Sequence, residues 1–228
     1  IDSLFQKWKE LDVTHSLTVV FFSRTFLGTS RPGEATKKTG IDTCNVDVYG
    51  RFYEDHFKTV IENDRSCSWD SIVRNIKRKF IRYPFELGWN FTHGNGGRWP
   101  SNAMQGNVLE AINVTLNLQH LHYMDRDLER TGNSIVVVSP GCGVFEVDKE
   151  LAGITHQRMM DDGIGSDMLC LGLPPLHIAP FFLYNNAFYE VGTDGVDADK
   201  TYYEVPHWMH LSFVSYDKDE TRSTRIKP

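Results

Sequence analysis

Any chemistry in this chain would come from a few clusters of oxygen, nitrogen and sulfur donors, and spacing decides what each can do. Gly141-Cys142-Gly143 follows the apolar run Ser134–Ser139 as the first glycines of a dinucleotide-binding turn follow a strand. The third glycine position holds Glu146, which would set a carboxylate beside a pyrophosphate, so the pattern fails as a cofactor site. No G-x-x-x-x-G-K-[ST] run and no G-x-S-x-G elbow occurs, which removes the phosphate-cradling loop and the common seat for a hydrolase serine. His207 and His210 are three apart, and on a strand their imidazoles point to opposite faces and cannot share a metal without a bend. Cys44, Cys67, Cys142 and Cys170 are scattered without zinc-type pairs, which fits free thiols in a reducing compartment. Asp64, Ser66 and Ser68 are different: a carboxylate and two hydroxyls in D-x-S-x-S order offer the hard oxygen ligands that Mg²⁺ prefers. The same two serines suit a turn and a helix N-cap.

The elements that must position these groups are clearest in the second half. Ser134–Ser139, with Ile-Val-Val-Val between serines, predicts a buried strand ended by Pro140-Gly141, and Val144–Val147 a short one. Asp148 predicts an N-cap for a helix reaching Met160 and closed by Gly163, after which Met168–Leu171 is the next strand. Strand, helix, strand in that order requires a crossover and parallel pairing. Ile178–Tyr184 and His210–Val214 complete the strands around a polar insertion over 185–200.

In the first half, Leu4, Phe5, Trp8 and Leu11 give residues 1–12 the spacing of the last turns of an amphipathic helix, as if the chain began inside a domain. Leu17–Phe22 predicts a buried strand of a parallel or mixed sheet, followed by a mobile loop from Gly28 to Val48; over 51–62, Phe52, Phe57, Val60 and Ile61 suit a helix as well as a strand, and the strand is favoured. Ser68 would cap a helix from Trp69 to Arg82, stopped before Pro84. Its buried side is expected to carry Ile72, Val73, Ile76, Phe80 and Ile81, and its solvated side the basic run Arg74, Lys77, Arg78, Lys79 and Arg82, for which a binding patch is the alternative. Gly88–Pro100 is Gly-rich and irregular. A helix over Ala103–Tyr123 would bury Val108, Leu109, Ile112, Leu116 and Leu121. These elements predict one α/β domain over 1–228 with an open, mostly parallel sheet and helices on both faces.

Composition narrows the function classes. Forty per cent hydrophobic and 24% charged residues fit a folded globular domain, and a net charge of −6 offers no global field for nucleic acid. No stretch reaches the length of a membrane span. Asn90-Phe91-Thr92 and Asn113-Val114-Thr115 match the glycosylation sequon, but the motif is short enough to arise by chance and the second lies in a predicted helix.

Asp64-x-Ser66-x-Ser68 also matches the metal-site motif of von Willebrand factor A domains, where it follows the first strand; here a helix and a strand already precede it. A longer resemblance covers nearly the whole chain. Leu17–Phe26, Gly50–Asp55, Gly106–Asn113, Asp127–Asp148, Thr155–Gly172 and Pro206-His207-Trp208 resemble consecutive blocks of the Iml family, the DEP-domain subunit of the GATOR complex, called SEACIT in yeast. The loops 28–48, 86–102 and 184–203 depart freely.

The resemblance implies the SABA domain of that family, Rossmann-like and von Willebrand A-like in fold, here lacking its first strand and cut from a larger multidomain protein. It implies a scaffold without catalytic residues, cofactor or metal, docking nitrogen-permease-regulator-like subunits. The assembly accelerates GTP hydrolysis by Rag-type GTPases, which reach other parts of the full protein, and restrains TOR signalling when amino acids are scarce. The catalytic arginine lies on a partner subunit, so Arg24 and Arg51 are not promoted to arginine fingers. The implied place is cytoplasmic, peripheral to the vacuolar or lysosomal membrane through the complex, with no nucleic acid bound and no direct membrane insertion. A metal-dependent ligand-binding domain of von Willebrand A type is the alternative. Trp89, Phe91 and Trp99, aromatic residues in or beside the Gly-rich loop, are the candidate partner anchors; the competing expectation is that they tuck into the core.

Overall fold

The computed structural model describes residues 2–13, 15–28, 45–66, 68–90, 97–122, 132–141, 143–173, 181–184, 202–214 and 223–225, which group into two compact units. The 185–200 insertion and most of the 28–48 loop lie outside these residues.

The first unit is built on an antiparallel sheet. Strand β1 (Leu17–Leu27) pairs along its length with β3 (Phe52–Asp64). The short β2 (Asn45–Val46) extends β3, and β4 (Arg98–Pro100) pairs with the far end of β1, giving the order β2-β3-β1-β4. The expected parallel or mixed setting of Leu17–Phe22 is corrected: both of this strand's partners run antiparallel, and the segment continues to Leu27. A buried apolar run reports burial, not the direction of its neighbours. Two expected loops also yield strand, Asn45–Val46 and Arg98–Pro100, the latter ending at a proline with no following residue in the ladder.

Helices α1 (Asp2–Glu10) and α2 (Trp69–Glu86) cover this sheet. Phe5 of α1, Val60 and Ile61 of β3, and Trp69, Ile72 and Ile76 of α2 form the buried core, with Trp8, Leu17, Val19, Phe21 and Val73 packed against it. Stacking adds geometry to burial: Phe5 lies on Trp69 at 5.4 Å, and Trp8 meets Trp69 edge-on at 5.1 Å. Helix α2 does not stop before Pro84. Near the helix end the missing N–H costs a single backbone bond, while Tyr83 holds the turn in place, buried against Phe21 with its Oη 3.0 Å from Ser23 Oγ. The helix closes one turn later, where Gly88 takes φ +67° and Trp89 donates its N–H to the Pro84 carbonyl. This extension fixes the buried stripe as Trp69, Ile72, Ile76 and Tyr83. Phe80 and Ile81, expected inside, stand 65% and 68% exposed.

The second unit holds the parallel strands. β5 (Ser134–Ser139), β7 (Gly165–Cys170) and β10 (Met209–Val214) pair in parallel in the order β10-β7-β5, with β11 (Ser223–Arg225) antiparallel at the β10 edge. Along β5 the alternation is regular: Ile135 and Val137 are buried, Val136 and Val138 exposed. Helix α4 (Lys149–Asp162) makes the β5-to-β7 crossover with both predicted caps in place. Asp148 Oδ1 accepts from the Leu151 N–H at 2.7 Å, and Gly163 closes the helix at φ +64°. β6 (Val144–Glu146), β8 (Phe181–Tyr184) and β9 (Tyr202–Glu204) form a separate three-stranded sheet. The expected final strand near Ile178–Tyr184 therefore belongs to a different sheet from β10. Helix α3 (Val108–His122), of which the residues to Leu116 belong to this unit, starts later than Ala103, because Asn102 first makes a turn by accepting the Gln105 N–H at 2.8 Å. Val108, Leu109, Ile112 and Leu116 are buried as expected, whereas Leu121 is exposed.

Candidate functional site

Asp64 ends β3, and the turn after it consumes the D-x-S-x-S motif. Asp64 Oδ1 accepts the Ser66 N–H at 2.8 Å, and Ser66 Oγ accepts the Ser68 N–H at 3.4 Å. The bonds from Ser66 hold the Asp64 carboxyl below its ordinary value. Ser68 occupies the N-cap of α2, but its hydroxyl makes no capping bond. The motif is thus used as an Asx turn leading into a helix, at the end of an antiparallel strand. Among the described residues no three His, Cys, Asp or Glu side chains converge as a metal site would need.

The glycines after β5 are explained by close packing. A Cβ on Gly141 would come within 2.7 Å of the Ala103 side chain, and one on Gly172, just past β7, within 2.8 Å of the Gly141 carbonyl oxygen. Two backbones and an alanine therefore crowd the C-terminal ends of adjacent parallel strands, where an open α/β sheet would otherwise receive a ligand. Glu146 accepts from Tyr49 Oη at 2.9 Å, and its N–H reaches the Met104 carbonyl. His207 and His210 are both exposed. Between them Trp208 lies nearly parallel to His156, ring centroids 5.8 Å apart, and edge-on to Phe182.

The two arginines withheld as arginine fingers are engaged within the first unit. Arg24 makes a two-pronged pair with Asp55, both contacts at 2.9 Å, and its guanidinium lies 4.0 Å from the Tyr53 ring centre. Arg51 covers Phe26 at 4.1 Å. Asn113 of the second sequon is equally committed: its amide donates to the Leu109 carbonyl and Thr155 Oγ1, and accepts from Arg158 at 2.6 Å.

Of the candidate anchors, Phe91 lies outside the described residues. Trp89 is half-buried, donating Nε1–H to the fully buried Thr25 hydroxyl at 2.9 Å and meeting Tyr83 edge-on. Trp99 sits on β4 opposite Phe26, ring centroids 6.4 Å apart, and remains 41% exposed. The structure thus separates the pair: Trp89 turns inward, while Trp99 presents a large aromatic face to solvent.

A second surface was legible in the sequence only for its basic residues; the exposure of Ile81 and Phe85 among them was not. The exposed side of α2 carries Arg74, Lys77, Arg78 and Arg82 together with Ile81 and Phe85, the last 82% exposed. The signal for it was present, since counting from Trp69 through Ile72, Ile76 and Tyr83 places positions 81 and 85 opposite the core.

The chain matches the family model described as the vacuolar membrane-associated protein Iml1, vWA-like domain, over residues 1–184. It is 39% identical over 229 residues to the GATOR complex protein Iml1 of Drosophila melanogaster, covering 99% of this chain and 14% of that protein. A DEP domain-containing protein of Dictyostelium discoideum is 40% identical over 185 residues, 81% of this chain and 8% of its own length. The vacuolar membrane-associated protein iml1 of Schizosaccharomyces pombe is 27% identical over 207 residues, 82% of this chain and 14% of its own. The chain thus spans less than a sixth of each of these relatives. Matched by the family model over most of its length, it is a vWA-like domain of the Iml1 family.

Proposed function

We propose that this chain is a non-catalytic scaffold domain of a GTPase-activating complex, docking nitrogen-permease-regulator-like subunits. Other parts of the full protein face Rag-type GTPases, and the assembly restrains TOR signalling when amino acids are scarce. The catalytic arginine belongs to another subunit, and the protein is held on the cytoplasmic side of the vacuolar or lysosomal membrane through the complex. Residues 1–228 act as one SABA-like domain whose parallel strands belong to an open Rossmann-like sheet with helices on both faces.

The observation that carries this reading is how the chemistry-bearing groups are spent. Asp64 closes a turn, Gly141 and Gly172 allow backbone contact, and Arg24 is locked to Asp55. Family membership adds the context, since the Drosophila relative is named for the GATOR complex. A large aromatic such as Trp99, more than a third exposed, suits the centre of a protein interface. The test is co-purification: the chain, co-expressed with the nitrogen-permease-regulator-like subunits, should elute with them at fixed stoichiometry, and independent elution would refute the scaffold reading.

A further inference from the structure

The outer face of α2 departs from an ordinary solvated helix surface. Arg74, Lys77, Arg78 and Arg82 lie with Ile81 and Phe85 on one arc, which at 1.5 Å per residue runs about 16 Å along the axis. The apolar pair sits one turn apart at i and i+4 along the middle of the arc, and the cations flank it. Ile81 and Phe85 are 68% and 82% exposed, and Phe80 on the flank is 65% exposed. The carboxylates at the two ends of this stretch are engaged by lysines from other elements, Asp70 with Lys9 and Glu86 with Lys58. Arg74 donates to the Asp70 carbonyl and Arg78 to the Asn75 amide oxygen, both neutral acceptors. Arg74, Arg78 and Arg82 thus keep this face basic in a chain whose net charge is −6.

We infer that this face of α2 rests on an anionic phospholipid surface. The occupant follows from shape and charge together. The face is the convex side of a single helix, with its apolar tips protruding and its cations around them. A planar bilayer takes such tips among its acyl chains near the headgroups while the longer Lys and Arg side chains meet phosphate. A folded protein partner would need a groove complementary to the protruding tips. No helix of the described residues is long and apolar enough to cross a membrane, so the contact is interfacial and reversible. It adds a direct foothold to the association through a complex proposed above, and does not depend on that reading.

The experiment is co-sedimentation of the full chain with phosphatidylcholine vesicles, with and without phosphatidylserine. Binding is expected to the phosphatidylserine vesicles alone and to weaken as salt rises, because exposed charges are screened. Each cation near the surface contributes about a fivefold gain in partitioning, so reversing Arg74, Lys77, Arg78 and Arg82 to Glu should reduce it at least ~100-fold. Ile81→Ser with Phe85→Ser should reduce it about tenfold or more. All six positions are exposed, so both variants should melt as the parent does. Lys149→Glu, an exposed cation on α4, is the control and should bind normally. Absence of binding to phosphatidylserine vesicles, or binding untouched by either variant, overturns the inference. So does loss of partner-subunit capture in these variants without any vesicle binding by the parent, which assigns the face to a protein while leaving the scaffold reading intact.

Discussion

Replacing Trp99 with Ala tests the proposed docking surface most directly, and the structure sets the size of both effects. A Trp offers up to about 250 Å² of burial, so the 41% exposed leaves roughly 100 Å² for a partner. At about 25 cal/mol/Å² that area is worth ~2.5 kcal/mol, close to a 60-fold rise in Kd when removed. The covered remainder, about 150 Å² against Phe26 and its surroundings, sets an upper bound of ~4 kcal/mol on lost stability. Weakened binding alone therefore proves nothing, and a matched control is required. Trp89→Phe supplies it, because it strips the buried Thr25 hydroxyl of a 2.9 Å bond and should cost about 1–3 kcal/mol of stability. Melting curves should show both variants destabilised; titration against the partner subunits, at a temperature where both are folded, should show only Trp99→Ala weakened. Equal weakening in both, or binding by folded Trp99→Ala within about twofold of the parent, refutes the assignment of Trp99 as an anchor.

Asp64→Ala should leave partner binding unchanged in Mg²⁺ and in chelator alike, since its carboxylate serves a turn; a strict Mg²⁺ requirement abolished by the substitution would restore the metal reading. The purified chain alone should leave GTP hydrolysis by a Rag-type GTPase at its intrinsic rate, measured as phosphate release, and acceleration would refute the non-catalytic assignment. Burial beside Arg98 holds His56 below its ordinary value of 6.5 despite the carboxylates of Glu54 and Asp55. The unfolded chain then binds more protons between the folded-state value and 6.5. Stability should be full above 6.5 and fall as pH drops through that window, by at most ~1.4 kcal/mol per pH unit. His56→Gln should flatten the slope measured by denaturant titration; an unchanged slope would remove His56 as its source.

What could be read from the sequence follows how local each signal is. The α4 caps were legible because Asp148 and Gly163 act on atoms within three or four residues of themselves. Ser134–Ser139 was legible because its β-branched run alternates between serines. Pairing direction was not, since nothing within Leu17–Leu27 specifies that its neighbours run antiparallel. The end of α2 was misplaced because Pro84 is a strong local breaker, whereas the packing of Tyr83 against Phe21 and Ser23 is set across 60 residues of chain. That one turn decided the helix face: Ile72, Val73, Ile76, Phe80 and Ile81 all lie within reach of an apolar stripe, and Tyr83 selects which of them turn inward. The candidate site shows the same division. Trp89 and Trp99 could be named from composition, but their opposite settings, tucked and exposed, depend on Thr25 and Phe26, adjacent β1 residues that pair with strands far along the chain.

The parallel strands give the last reason to look for function on the surface. In an open α/β sheet the usual ligand crevice lies beyond the carboxyl ends of the strands, where loops diverge. After β5 and β7 the loops converge instead, with the Gly172 α-carbon against the Gly141 carbonyl and the Gly141 α-carbon against Ala103. A methyl group at either glycine would meet atoms closer than 3 Å, so there is no slack for a phosphate or a hydrated ion between these backbones. Close packing of this kind makes the strand ends rigid. Packing within the second unit thus accounts for both glycines, and the binding predictions rest on exposed faces of the first unit, Trp99 and the outer side of α2.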